Sequence, residues 1–257
     1  MSPFECMANF FERGGSMPRF FLDADTLSRG ILTGEDAKHI GRSLRMKTGD
    51  TLSLCDGKGT DYDAVITALT PEDVQFRITE TRPCPAEPTL LVTLFQAYPK
   101  ADKFESIVQK SVELGVHEIF PVLTERCVAR PDAKSGQKKQ ERFQKIALEA
   151  AKQSGRGIVP RVGPFLTLSA VCEACHTFER FYLLYESGGE PFSRVLPADL
   201  RSAALLIGPE GGFAPEEVAL IRTAGGEVVT LGKRILRTET APVAALSILQ
   251  YATGNLA

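Results

Sequence analysis

The segments Ile207-Gly208-Pro209-Glu210-Gly211-Gly212-Phe213 and Leu231-Gly232-Lys233-Arg234-Ile235-Leu236-Arg237-Thr238-Glu239-Thr240-Ala241-Pro242 decide the fold. Each is a glycine-bearing turn that leaves an apolar strand and enters a helical pattern, the place where an open α/β sheet holds its ligand. They lie only about two dozen residues apart, so they are expected to face one crevice. In the first, glycine lets the backbone approach a ligand closely while Pro209 stiffens the entry. The helix after it places Pro215, Glu216 and Glu217 in its first turn, where a missing N–H and negative charge are both favourable. A plain strand-turn-helix connection explains the first turn taken alone, and the second turn tips the reading towards a site. That second turn offers main-chain groups beside Leu231, Ile235 and Leu236, with Thr240 and Pro242 read as cap and first turn of the last helix.

Working back from these turns, strands and helices alternate. The patterns give a strand at 90–96, a helix at 102–114 ended by Gly115, a strand at 118–123, a helix at 137–153 and a strand at 181–186. They continue with a strand at 203–207, a helix at 215–224, a strand at 227–231 and a helix at 241–251. Such alternation implies a mostly parallel sheet covered by helices. Ahead of it, Arg82-Pro83-Cys84-Pro85-Ala86-Glu87-Pro88 forbids a central strand or a helix interior and marks a domain boundary. Between about residues 18 and 82 the pattern is β-like, with Thr51–Cys55, Asp63–Ile66 and Val74–Ile78 as strands and Asp56–Gly59 as a hairpin turn. Short strands with tight turns read as a small barrel.

At 257 residues, with 43% apolar and 24% charged residues, the chain has the composition of a globular protein of one or two domains. No apolar run approaches the roughly 18 residues of a spanning helix, and no continuous apolar stretch near the N-terminus suggests a secretory signal. A cytoplasmic location is expected. The six cysteines are then read as reduced thiols. Cys172-Glu173-Ala174-Cys175-His176 spells both a haem-attachment pattern and a redox pair, but it falls within a periodic apolar stretch, and buried thiols on a helix face are the preferred reading. His39, His117 and His176 show no ligand spacing, so no metal is expected. No nucleophile elbow or phosphate-binding P-loop occurs.

The net charge is −2, yet residues 126–161 carry a local surplus of seven positive charges, and Lys38, Arg42, Arg45 and Lys47 form a second basic cluster. Segregated positive charge is what phosphate binding needs, the alternative for 134–145 being a solvated helix face.

The two late turns resemble those of the SPOUT methyltransferases, and within them the ribosomal RNA small subunit methyltransferase E family. The likeness continues through Met17-Pro18-Arg19-Phe20-Phe21, His39-Ile40-Gly41-Arg42-Ser43-Leu44-Arg45, Gln109–Val116, Glu125-Arg126-Cys127 and Glu149–Arg156. It covers nearly everything from Met17 onward, with residues 1–16 an extension outside it. The resemblance implies a PUA-like RNA-binding β-barrel over 17–82 and an α/β methyltransferase domain over 88–257 with a deep trefoil knot, working as a homodimer. It implies S-adenosylmethionine as cofactor and N3 of a uridine in 16S rRNA, within the small ribosomal subunit, as target. Carried over residue by residue, Ile207, Gly208, Pro209, Glu210, Gly211, Leu231, Gly232, Ile235, Leu236 and Arg237 are expected to hold the cofactor. Arg19, His39, Arg42, Arg45, Arg126, Arg130 and Arg156 are expected to meet RNA. Ala214 stands where the family commonly has a hydroxyl, so a looser helix start is expected.

Methyl transfer from a sulfonium needs alignment, and N3 of uridine additionally needs loss of its proton or stabilisation of the charge left behind. Arginine is too basic to accept a proton, so Arg126 and Arg237 are assigned to clamping phosphate or the uracil oxygens. No residue stands out as general base: Glu239 is a candidate, with a helix-start carboxylate stabilised by the dipole as its preferred reading. A dinucleotide-dependent oxidoreductase is disfavoured because Gln96-Ala97-Tyr98-Pro99-Lys100 follows the first strand of the second domain where a glycine fingerprint would stand. A non-catalytic RNA-binding protein on the same fold is the other alternative.

Overall fold

The computed structural model describes residues 19–256, so Met17, Pro18 and the extension before them lie outside the described residues. Its contacts form two compact units: residues up to Glu87 joined by Ala151–Val159, and Pro88–Ala150 joined by Pro160–Ala257.

The first unit runs β1 (Arg19–Phe21), α1 (Ala24–Arg29), β2 (Ile31–Thr33), α2 (Gly34–Lys38) with a π-helical turn at His39–Ser43, then β3 (Thr51–Cys55), β4 (Thr60–Leu69) and β5 (Asp73–Pro83). The five strands order β1-β3-β4-β5-β2, with β1 parallel to β3 and the other pairs antiparallel. Alternation in β3 buries Leu52 and Leu54, which meet Phe20, Leu32, Ile40, Ile66, Val74 and Phe76 in one core. Register shifts between Asp63 and Ala64 and between Ile66 and Ala68 interrupt the long β4–β5 ladder. Shifts of this kind bend and twist a strand, which lets a small sheet wrap an apolar core. This is the expected PUA-like domain.

Residues 151–159 fasten to this unit through main chain and one carboxylate. Gly59 N donates to Gly157 O at 3.1 Å, and Glu87 accepts from Gly157 N at 2.7 Å, Ile158 N at 3.0 Å and both forks of Arg156 at 2.9 Å.

The second unit contains β6 (Leu91–Ala97), α3 (Lys103–Glu113), β7 (Glu118–Leu123), α4 (Ala133–Ser154), β8 (Arg161–Val162), β9 (Leu166–Thr167) and α5 (Leu168–Ala174). It continues with β10 (Arg180–Leu184), β11 (Glu190–Pro191), β12 (Ser202–Ile207), α6 (Pro215–Thr223), β13 (Glu227–Thr230) and α7 (Ala241–Ala252). The eight-stranded sheet is ordered β11-β13-β10-β12-β6-β7-β8, with β9 also on β7, and every pairing is parallel. Strands buried on both faces read as continuous apolar runs, as Ala203–Ile207 does. Phe181 and Leu183 of β10 enter a core with Phe95, Ala204, Leu206, Val171, Phe213 and Val218, against α5 and α6. Helices α3 and α7 pack together and bury Ile107, Val108, Val112, Ala245, Leu246 and Leu249.

Cys172 and Cys175 are free thiols packed in this core, and burial pushes the Cys175 thiol up to about 11. A thiol held neutral is a poor nucleophile, as the buried-thiol reading expects. Among the described residues, no helix is long and apolar enough to cross a membrane.

Candidate active site

Because every strand of the large sheet is parallel, the connections that follow β10, β12 and β13 all leave from one edge. In the order β13-β10-β12 these three strand ends lie side by side, and the crevice outside the carboxyl ends of the strands is where open α/β sheets hold their ligands. A cavity of about 480 Å³ opens there, lined by Ile207–Gly212, Thr230–Gly232, Arg234–Thr238 and Ala241, with Leu184, Tyr185 and Glu186 from the end of β10. All ten residues expected to hold a cofactor line it, so the two late turns do share one crevice. The third contribution was not anticipated. Glu186-Ser187-Gly188-Gly189 is itself a glycine-bearing turn after an apolar strand, the same signature at a third strand end.

Hydrogen bonds tie the turns together. Thr238 Oγ1 donates to Gly208 O at 2.8 Å and accepts from Gln96 Nε2 at 3.1 Å, and Gln96 is wholly buried. Lys103 Nζ lies 2.9 Å from Glu210 Oε1 and 3.5 Å from Glu239 Oε2, so one cation bridges carboxylates from both turns. Burial alone would raise the Glu210 carboxyl, but Lys103 and the Lys100 N–H hold it below the usual carboxylate range. Gly212 sits at φ 66°, the left-handed region that favours glycine, and packs against the end of the Glu186 side chain.

Arg126 reaches this edge from the segment after β7. It lies across Gly211, and its Nη1 donates to Gly211 O at 2.9 Å. Arg237 lines the cavity itself, with its carbonyl accepting from Thr240 N and Ala241 N at 2.8 and 3.0 Å. Glu239 lies outside the lining, against Lys103.

The RNA expectations divide. His39, Arg42 and Arg45 are exposed on and just after the π-helical turn, and Arg45 holds a positive φ of 54°. The Arg156 side chain, by contrast, is 3% exposed and doubly bonded to Glu87. The Arg19 side chain is likewise 8% exposed and paired with Asp61. Arg130 turns Nη2 inward onto Thr124 O at 2.6 Å and Glu125 O at 3.0 Å, which fixes a turn instead of offering that nitrogen to phosphate.

Two helix starts also differ from expectation. Thr240 makes no side-chain cap, because its backbone is already helical. At α6 the missing hydroxyl of Ala214 is compensated from the other side: Glu217 Oε2 accepts from Ala214 N at 3.0 Å, so the start is fastened.

The matched family models define the class of protein. Residues 86–250 match the RNA methyltransferase domain, and residues 32–79 match the RNA methyltransferase PUA domain. The ribosomal RNA small subunit methyltransferase E of Bacillus subtilis is 34% identical over 252 residues, covering 92% of this chain and 97% of that protein. The protein of that name from Synechocystis is 36% identical, covering 84% and 71%. A solved ribosomal RNA small subunit methyltransferase E from Neisseria gonorrhoeae, bound to S-adenosylmethionine, is 33% identical with a TM-score of 0.80, covering 92% of this chain and 98% of that one. This chain belongs to the ribosomal RNA small subunit methyltransferase E family.

Proposed function

We propose that this protein transfers a methyl group from S-adenosylmethionine to N3 of a uridine in 16S rRNA of the small ribosomal subunit. The observation that carries the reading is the convergence of all ten expected cofactor residues on one cavity at the ends of parallel strands. The cavity suits the cofactor: its volume lies in the range of ligand pockets, main-chain groups of three turns surround it, and Leu184 and Leu236 offer apolar surface. Glu186 and Glu210 complement a ligand carrying ammonium and sulfonium charges. Bound there, S-adenosylmethionine supplies a methyl group already activated as a sulfonium.

The residues of the chain then have two tasks. The turns, tied by Gln96, Thr238 and Lys103, hold the donor in one orientation, and alignment supplies much of the acceleration. Arg126 and Arg237 stabilise the negative charge that appears on the uracil ring as N3 loses its proton. Glu239 serves as counter-ion to Lys103, a role supported by its 3.5 Å approach. His39, Arg42 and Arg45 of the PUA-like domain grip the RNA backbone. The trefoil knot belongs to the same proposal, as the family resemblance implies. A homodimer does too, with exposed Ile248 and Tyr251 of α7 available to a second copy.

The test is methyl transfer from labelled S-adenosylmethionine to small ribosomal subunits lacking the modification, followed by mapping of the labelled base. Label on N3 of one uridine is the expected result, and label on another base or none ends the reading.

A further inference from the structure

Glu217 carries a negative charge at a position only 6% exposed. Burying a carboxylate is costly unless its oxygens are satisfied. Here both are, by main chain. Oε2 accepts from Ala214 N at 3.0 Å, and Oε1 accepts from Glu125 N at 2.8 Å. Its place in the first turn of α6 adds the favourable end of the helix dipole.

The first of these bonds serves the helix that contains it. The second does something else, because Glu125 belongs to the segment after β7 and precedes Arg126. That segment is a tight turn: Cys127 N donates to Thr124 O at 3.2 Å, and Arg130 bonds the carbonyls of Thr124 and Glu125. Its Arg126 then reaches Gly211 O at 2.9 Å. Helix α6 begins directly after the Gly208–Phe213 turn, so Glu217 couples the Arg126 turn to the same rigid body that carries the cavity wall.

We propose that Glu217 is a positioning residue for the reaction, holding the Glu125–Arg126 turn so that the Arg126 guanidinium stays at the cavity edge. This rests on the methyltransferase reading and on the role given there to Arg126. The bond from Glu125 N is what a capping role alone does not need.

Glu217→Gln is nearly isosteric but offers one acceptor oxygen, so one of the two N–H groups would face an amide donor. The expected result is a fall in kcat for methyl transfer on the order of 100-fold, the scale of a misplaced catalytic group, with the calorimetric Kd for S-adenosylmethionine changed less than about twofold. In an Arg126→Ala background the same change is expected to cost nothing further, since both act through one guanidinium. Should Glu217→Gln lose its fold by circular dichroism, Glu217→Asp serves the same cycle, keeping the charge but falling one methylene short of both N–H groups. If Arg126→Ala slows the reaction while Glu217→Gln leaves it unchanged, or if the two losses multiply, the positioning role is overturned and the reading of Arg126 stands. If Arg126→Ala turns over at full rate, or the unaltered protein transfers no methyl group, that reading falls and this proposal with it.

Discussion

Arg156 and Arg126 stand in one basic stretch and carry the same charge, yet they do opposite things. Arg156 points inward and is spent on Glu87, whereas Arg126 is exposed and touches the wall of the cavity. Sequence reports charge but not direction, and an arginine fork matched to a carboxylate can be buried as readily as it can grip phosphate. The glycines were easier to read, because a turn such as that at Gly212 needs a positive φ that other residues rarely adopt. Arg237 is where the residue scale bears on rate. If it stabilises charge that exists only as the reaction proceeds, Arg237→Ala is expected to lower kcat by roughly 100-fold. The cofactor Kd, measured by calorimetry, is expected to change by less than about threefold, since uniform binding is not what was removed. Equal losses in both would remove the role.

At the scale of elements, β7 was legible to the residue and most other long elements to within a few, because apolar runs and periodic patterns set between turn residues leave little ambiguity. The strands of two or three residues, β1, β2, β8, β9 and β11, were not legible. Their extended form comes from pairing with a neighbour, which no local pattern records. Helix α4 begins at Ala133, earlier than expected, and Asp132 just before it accepts from Ser135 N at 2.8 Å, a capping signal that was present in the sequence. Thr238 shows what lies beyond such signals. Read as one residue of a glycine-bearing turn, it is instead the tie between β6, the Gly208 turn and its own segment. Thr238→Ala removes the hydroxyl that joins Gly208 O to Gln96 Nε2, which keeps its bond to Ala97 O at 3.0 Å and a longer 3.4 Å approach to Gly208 O, so the loss is that of the hydrogen bonds themselves, about 1 kcal/mol. Thermal denaturation is expected to show that loss together with weaker S-adenosylmethionine binding, while Thr238→Ser, which keeps the hydroxyl, stays close to the unaltered protein.

For the whole molecule, the division of charge matters more than its net value. With Arg19 and Arg156 internal, the basic cluster on and after the π-helical turn gains weight in RNA binding. Replacing Arg42 and Arg45 by Ala is expected to weaken rRNA binding in filter assays at every sequence tested. Its salt dependence is expected to flatten by roughly 0.7 in the log–log slope for each phosphate that is no longer neutralised. The order of assembly along the chain is also not sequential. Residues 151–159 return to the first unit after most of α4 has been laid down in the second, and Glu87 at the end of the first segment is what receives them. Burial alone would raise the Glu87 carboxyl, but the Arg156 guanidinium and the N–H groups of Ile158 and Gly157 outweigh it and hold the group below the usual range. A carboxyl depressed in the folded state contributes stability that is present above its unfolded value and lost as pH falls towards its folded one. The melting temperature of the PUA-like unit is therefore expected to drop as pH is lowered below about 4.3, the ordinary glutamate value. Glu87→Gln is expected to start from a lower melting temperature at neutral pH and to show a shallower acid limb, since the group that loses its charge is gone. An acid limb of unchanged steepness in that variant would mean that other carboxylates carry the dependence.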